Sequence, residues 1–541
     1  MKNVRFPMKT LAMILPFTLL LAASLISRES ADPGQPPRAV ADVDFSTWID
    51  ANSILMFVTN KGSFAYDNGA YFGKYDGFYF PFTGIDDIFS SANALTALYS
   101  GGLWVGAVDS ASGDTLVTTA NYGTDWGVGP IVGDSSAPGA DANPVYRVYK
   151  LHSDSLVGNP NQDYLDWPSS DGAPLEDGAP QMHGDQMLWA VFNDLNADAH
   201  TRPTGTSGQG LGVEVHQTVW AFAPGAFLAS EYMLYIKFKL INKGDKTLEN
   251  FVVSLWFDPD VGDASDDFVG CDTLNDVFFC YNADPDDADY GITPPAVGGQ
   301  ILQGPIVPSP GDTAYVDGRA VPNHKNLKME SFCGLMNPYD PDNFRESYRV
   351  MNGLQLDGSP LANGTRYYAP GDPVTGSGDL DTSPGDRRMM ANVGSFTFRP
   401  GDVQQVVVRL AGGQATSHLS SLTELRAILD QPYNIPTDVD DPSGPDGLPA
   451  DYALEQNYPN PFNPATTIEY SLPTRSEVTI SIYNILGQEV KTLVNAVKAA
   501  GDHVARWDGT DRTGERVASG VYFYRIEAGN FVSSKKMLLL K

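Results

Sequence analysis

The chain has 541 residues, enough for roughly three domains at the usual ~150 residues each. Its net charge of -31 leaves no surplus of Lys and Arg to replace phosphate counterions or to settle on anionic lipid, which argues against nucleic acid and acidic membrane surfaces as partners. With 53 Gly, 39 Pro and 11% aromatic residues, the composition predicts many short strands joined by turns, hence a mainly β fold.

The first element in chain order is an address. Lys2, Arg5 and Lys9 precede an apolar run from Leu11 to Ala23, and Ala22-Ala23-Ser24 offers a cleavage site. Residues 1–24 therefore predict a secretory signal peptide. The run is short for a membrane span, and no Cys follows it to carry a lipid anchor. No later stretch approaches about eighteen apolar residues, so no integral membrane segment is expected after signal cleavage. Residues 25–44 are polar and Pro-rich and predict a flexible leader.

The body is expected to be a β-sandwich of one or two domains, with a first part over 45–225 and a second over 226–430. Ile54–Val58 is a short apolar run bounded by turn residues, which suits a buried strand. The following FAYDNGAYFGKYDGFYFPF interleaves Gly with rings and suits packed loops, with a carbohydrate platform as the alternative. Gly101–Ala107 reads as a strand, and Val108–Thr119 as a hairpin around Ala111-Ser112-Gly113-Asp114. The spacing of apolar residues in DQMLWAVFND fits helix and strand alike and is read as a strand.

From Gly210 the alternation sharpens. Val213, Val215, Gln217 and Val219 stand against Glu214, His216, Thr218 and Trp220. Leu234, Ile236, Phe238 and Leu240 stand against Tyr235, Lys237 and Lys239. Asn242-Lys243-Gly244-Asp245 then predicts a hairpin turn into the strand FVVSLWFDPD. Val393–Phe398 and Val403–Leu410 flank a Pro-Gly turn at Arg399–Asp402. Ser421-Leu422-Thr423-Glu424 predicts a capping box with Ser421 as N-cap, opening a helix with Leu422, Leu425, Ile428 and Leu429 on one face and ended by Pro432. Residues 431–451 are Pro-, Asp- and Gly-rich without periodicity and predict a linker.

The candidate chemistry of the body is acidic. DPDVGDASDDFVGCD puts Asp258, Asp260, Asp263, Asp266 and Asp267 within ten residues at the end of an apolar strand. A hard cation such as Ca2+ takes several carboxylate and carbonyl oxygens, and a Gly-containing loop can converge them. These five are the candidate calcium ligands, and a solvated acidic loop is the alternative. A second acidic run, ADPDDADYG, lies at Ala283–Gly291. Cys271 and Cys280 are placed to close a hairpin disulfide in an oxidising compartment and to brace both loops. Cys333 is then a buried thiol, or the true partner of one of them. HExxH, GxSxG and P-loop motifs are absent, and neither His183-Gly184-Asp185 nor the GTSG at Gly205–Gly208 names a reaction, so no catalytic residue is assigned.

The last ninety or so residues are the most legible. Ile468, Tyr470 and Leu472 alternate with polar residues, as do Val478, Ile480 and Ile482. Asn484–Gly487 predicts a turn, and Gly529-Asn530 a two-residue loop joining Val521–Ala528 to Phe531–Leu540. Trp507 is the expected core plug, with Asp508 and Asp511 forming the turns after it. About seven short strands over 452–541 predict an immunoglobulin-like sandwich.

The ordered motifs NYPNPFNP (Asn457–Pro464), LGQEV (Leu486–Val490), WDGTD (Trp507–Asp511), SGVYFYRI (Ser519–Ile526) and the basic-apolar end Lys535–Lys541 resemble the C-terminal sorting domain of the type IX (Por) secretion system, whose fold is like the Ig-like domain of hook-capping proteins. The resemblance covers 457–541 and places the sorting signal on Asn457, Pro459, Pro461, Gly487, Trp507, Gly509, Gly520, Lys535 and Lys541. It implies recognition by outer-membrane secretion machinery, often with removal of the tail and surface retention or release of the cargo. The body stretches GGLWVGA (Gly101–Ala107), GDQMLWAVFND (Gly184–Asp194) and WFDPDVG with DDFVGCD (Trp256–Asp272) resemble uncharacterised secreted proteins that carry this tail. The expected product is a secreted or cell-surface β-sandwich protein, exported via the periplasm, with a non-catalytic adhesion, surface-layer or ligand-binding role. Surface polysaccharide or glycans are the candidate partners. The alternative is an extracellular hydrolase acting on glycans or peptides.

Overall fold

A computed structural model describes residues 46–432 and 452–539, except 67–76, 85–94, 138, 154–159, 177, 201–203, 206–208 and 338 in the body and short stretches of the tail. The predicted signal peptide, the leader and the linker from 433 to 451 lie outside the described residues, as do Pro459, Pro461 and Lys541.

Eleven strands of the body carry the argument. They are β1 (Ser100–Asp109), β2 (Gln186–Asn193), β3 (Val213–Ala221), β4 (Met233–Asn242), β5 (Leu248–Asp258), β6 (Asp267–Asp272), β7 (Val277–Asn282), β8 (Ala296–Gln303), β9 (Met329–Met336), β10 (Arg387–Phe398) and β11 (Val403–Gly413). Sheet I runs β9-β10-β5-β1 and continues through Ser63–Phe64, Leu55–Thr59, Phe78–Tyr79 and Thr96–Leu98. Sheet II runs from Tyr149–His152 through β2-β3-β4-β11-β8-β7 to β6. All of these pairings are antiparallel. Both sheets take strands from before and after residue 225, so the two stretches of the body make one sandwich.

The alternation read from β3 and β4 sets the core. Val213, Val215 and Val219 of β3 and Leu234, Ile236, Phe238 and Leu240 of β4 pack against Leu103, Val105, Val253, Leu255 and Phe257 of sheet I. The outer faces are covered too. Over sheet II, Leu422, Leu425, Ile428 and Leu429 of the helix His418–Leu429 pack on Trp220, Tyr235 and Phe279. Over sheet I, Val350 and Met351 of the helix Phe344–Met351 pack with Trp104, Trp256 and Met390. A strand with both faces covered is apolar throughout, which is why β2 carries a pattern that fits helix spacing equally well.

Three local expectations are corrected. First, Asn242–Asp245 does not close a hairpin: β4 belongs to sheet II and β5 to sheet I, so the turn is an arch that crosses the sandwich. The turn at Arg399–Asp402 is a second arch, from β10 to β11. The two arches lock together. Asn242 N–H donates to Asp402 O at 3.0 Å, Gly401 N–H donates to Asn242 O at 2.8 Å, and the buried Asn242 amide donates to Phe398 O and Lys246 O, both at 3.0 Å. Second, the helix begins a turn early. Its N-cap is Ser417, boxed with Ser420, while Ser421 is buried and accepts from Ala415 N–H at 3.0 Å. The serine-rich start offers two capping frames, and burial of Leu422 is compatible with either.

Third, Cys271 and Cys280 are not bonded. They do lie on the β6–β7 hairpin, but its register sets Cys271 opposite Phe278 and Cys280 opposite Val269. All three cysteines are free and buried. Burial pushes the Cys333 thiol up to about 12 and raises those of Cys271 and Cys280 as well. Native protein is therefore expected to leave a thiol reagent unreacted, and denatured protein to titrate three thiols. A count of one in denaturant would restore the disulfide.

The tail has its own sandwich. Ala453–Leu454, Thr466–Leu472 and Gly501–Trp507 form one sheet; Glu489–Lys498, Ser476–Asn484, Gly520–Ala528 and Phe531–Leu539 form the other. That is seven strands, as read from the sequence. Ala528 pairs with Phe531, the register of the expected two-residue loop. Ile468, Tyr470, Leu472, Val478, Ile480, Ile482 and Trp507 share one core.

Candidate functional site

The acidic cluster forms where β5 leaves sheet I. Asp258, Asp260 and Asp386 each bring a carboxylate oxygen within 4.8 Å of the others. Arg388, on the neighbouring strand β10, sits among them. Its Nη1 contacts Asp258 Oδ1 and Asp386 Oδ1, and its Nε is 3.8 Å from Asp340 Oδ2. The Tyr122 hydroxyl donates to Asp258 Oδ2. Burial pushes the Asp258 carboxyl up to about 7, although Arg388 pulls the other way. Against its own burial, the Arg388 guanidinium is held above its ordinary range by Asp258 and its neighbours.

Only two of the five expected metal ligands therefore come together. Asp263 caps the short turn at Ala264–Asp266 by accepting from Ser265 N–H at 3.0 Å. Asp267 is fully buried, accepts from Val261 N–H at 3.0 Å and stands beside the Cys280 thiol; burial holds its carboxyl well above the usual range. Asp266 belongs to the adjoining turn, and burial raises it as well. The loops are braced by Asp287, which accepts from Asp263 N–H at 2.9 Å and Tyr290 N–H at 2.6 Å, and not by a disulfide. Arg388, Asp386, Asp340 and Tyr122 were not singled out in the sequence, because only the β5–β10 pairing brings the arginine to the acidic strand end.

Beside this cluster stand the rings of Tyr66, Tyr99, Tyr122 and Trp256, with centroids 5.5–5.9 Å apart in successive pairs. Phe64, Phe78, Tyr79 and Phe80 of the aromatic stretch are buried and pack inside the body, while Tyr71, Phe72 and Tyr75 lie outside the described residues.

A second constellation lies on the outer face of sheet II. The β3–β4–β11 register sets His216, Lys239 and Gln405 in one row and Thr218, Lys237 and Val407 in the next. Gly172, Pro174, Leu175, Gln181 and His183 wall one side of a 190 Å³ cleft over these rows. The tip of the hairpin formed by Ile306–Val316 and Arg319–Asn326 walls the other: Asp317 bonds Lys237 Nζ at 2.7 Å and Gln405 Nε2 at 2.8 Å. Burial, then Lys237, push the His183 imidazole down to about 4, so it is neutral at physiological pH. His216 Nε2 meets Glu214 Oε1 at 2.8 Å, and Glu214 also holds Lys243. Of the His183-Gly184-Asp185 triplet, His183 lines the cleft; residues 206–208 of the GTSG lie outside the described residues.

In the tail, the motif residues are structural anchors. Asn457 is buried; its N–H donates to the Tyr524 hydroxyl at 2.8 Å and its amide to Thr466 Oγ1 at 2.9 Å. Trp507 is buried against Phe462 and Tyr522 and donates to Thr510 O at 2.8 Å. Gly487 and Gly509 turn with φ of 75° and 71°, conformations that favour glycine. Gly520 opens the strand whose partner carries Lys535. Asp508 accepts from Thr510 Oγ1, Thr510 N–H and Lys491, which hold it down to about 2, so it is a turn former. Residues 463–530 match the FlgD Ig-like domain. The FlgD Ig-like tail thus has the sandwich that its sequence predicts.

No curated protein matches the chain. Similar solved structures include a polysaccharide lyase, at 8% identity over 62% of this chain and 35% of that one, with a TM-score of 0.19. The dimeric latent PorU from Porphyromonas gingivalis is 12% identical over 66% of this chain and 31% of its own, with a TM-score of 0.16. PorZ, a surface component of the type-IX secretion system of Porphyromonas gingivalis, is 11% identical over 93% of this chain and 61% of its own, with a TM-score of 0.14. The chain spans about a third of the length of the lyase and of PorU. Scores this low assign no fold or activity to the body. Among the described residues no helix is long and apolar enough to cross a membrane.

Proposed function

We propose that the chain is a secreted or cell-surface β-sandwich protein, exported by a type IX-like system through its FlgD Ig-like tail, and that the body acts there by binding and not by catalysis. The observation that carries the reading is the tail. It is a separate sandwich with a core drawn from its own residues, it matches the FlgD Ig-like domain, and its sorting motifs recur in order along it. A domain that folds on its own core can be recognised by secretion machinery in the outer membrane without the body taking part. In the body, the acidic cluster is occupied by Arg388, and the outer-face cleft joins a cation to amide and hydroxyl groups, the chemistry of recognition.

Removing residues 452–541 tests the export reading. The shortened protein is expected to accumulate in the periplasm, followed by cell fractionation and blotting for the body. Undiminished appearance at the surface or in the medium would overturn it. Turnover of glycans or peptides by the purified chain would overturn the binding role.

A further inference from the structure

We infer that the cleft on the outer face of sheet II is a binding site for a small hydroxylated monocarboxylate, the chemistry of a single hexuronic acid residue, with Lys239 as its anion anchor. The inference rests on the binding role proposed above only in placing this face outside the cell.

In a chain of net charge -31, several buried or half-buried cations already hold a carboxylate: Lys150 pairs with Asp50 at 2.9 Å, Arg147 with Asp163 at 2.8 Å and Lys243 with Glu214 at 2.8 Å. Lys237, next to Lys239 on the same face of β4, is held by Asp317 at 2.7 Å. Lys239 lines the cleft half-buried and makes no ion pair or hydrogen bond among the described residues. A half-buried ammonium kept away from carboxylates, in a protein rich in them, is poised for an anion from outside.

The surroundings select the anion. Neutral His183 adds no charge, the Lys237–Asp317 pair is balanced and His216 meets Glu214, so Lys239 is the cation of the cleft without an ion-pair partner among the described residues. That matches one carboxylate. A phosphate dianion would meet Asp317 without a second free cation or the forked donors of an arginine. The Thr218 hydroxyl lines the cleft beside the anchor, and Pro174 with the half-exposed Leu175 gives an apolar rim for the ring. The cavity is small, at 190 Å³, on the scale of a single sugar ring. The floor belongs to two central strands, so the anchor is placed before the ligand arrives.

Isothermal titration of the purified full chain with D-galacturonate, D-galactose and inorganic phosphate tests the assignment. D-galacturonate is expected to bind, with D-galactose at least about tenfold weaker for want of the charge-assisted bond. Lys239→Met is expected to weaken D-galacturonate by a similar factor with an unchanged melting temperature. Leu175→Trp, at an exposed rim position, is expected to obstruct entry and weaken binding without touching the anchor. Absence of D-galacturonate binding, equal binding of D-galactose, tighter binding of phosphate, or an unaffected Lys239→Met would each overturn the inference. Because the titration needs no export, its failure beside intact secretion would discard the ligand class alone. Failed secretion beside intact binding would discard the export reading alone.

Discussion

Replacing Arg388 with Met is expected to destabilise the body by about 3–5 kcal/mol, the usual result of removing one partner from a buried ion pair. The side chains of Arg388 and Asp258 are 7% and 4% exposed, so water cannot take over the role of the guanidinium. The loss is shared: Asp258, Asp386 and Asp340 would be left facing one another at the end of β5. Calorimetry or denaturant melts of Arg388→Met beside wild type measure it. A change below about 1 kcal/mol, ordinary for a surface substitution, would show that the cluster is hydrated and that its burial has been overstated.

The same cluster fixes the sign of a pH effect. Burial raises the Asp258 carboxyl from 3.8 in the unfolded chain to about 7 in the folded one. Between those values the folded state binds a proton that the unfolded state has released, so this group's contribution falls as pH rises from about 4 through about 7. Without Arg388 the carboxyl rises further, so Arg388→Met is expected to lose more stability at pH 8 than at pH 5. The guanidinium also bears on calcium. With Arg388 already among Asp258, Asp260 and Asp386, EDTA is expected to leave the wild-type melting temperature unchanged. In Arg388→Met, millimolar Ca2+ is expected to recover part of the loss by taking up the same carboxylate oxygens.

These residues also show where sequence legibility ends. Periodicity within one strand is local, and it was enough to sort Val213–Val219 and Leu234–Leu240 to the core and His216, Thr218, Lys237 and Lys239 to the other face. Four residues of the cleft thus fell together on one side of the alternation. Its walls were not legible, because Asp317, Gly172, Pro174, Leu175, Gln181 and His183 arrive from elsewhere in the chain. The arches failed for a related reason. A short polar turn between two strands serves a hairpin and an arch alike, and the choice lies with partners: β4 pairs with β11 and β5 with β10, both far along the sequence. The cysteine pair failed by register, since Cys280 lies two residues along the hairpin from the position opposite Cys271. Of the five aspartates, Asp258 and Asp260 come together and the other three take separate roles, because sequence proximity is not convergence. Backbone N–H groups took Asp263 and Asp267, and the arginine that claims Asp258 comes from another strand.

Trp507→Ala carries the largest expected effect in the tail. The indole is fully buried, packs on Phe462 and Tyr522 at centroid distances of 5.5 and 5.2 Å, and donates to Thr510 O. Truncating a buried Trp to Ala costs about 3–5 kcal/mol, from lost burial and from the cavity left behind. A domain of this size commonly has only about 5–15 kcal/mol of stability in all, so most of the tail's margin would go. The loss should stay local. Among the described residues the tail's strands pair only with one another, and its core is drawn from residues 452–539, whereas the body packs around a separate core. Calorimetry is therefore expected to show the tail transition falling steeply while the body transition stays in place, and Trp507→Phe to lose far less. Movement of both transitions together would mean that tail and body unfold as one unit. On the export reading, the same substitution should strand the body in the periplasm as the deletion of 452–541 does, because secretion machinery that reads a folded sandwich has nothing to read once its plug is gone.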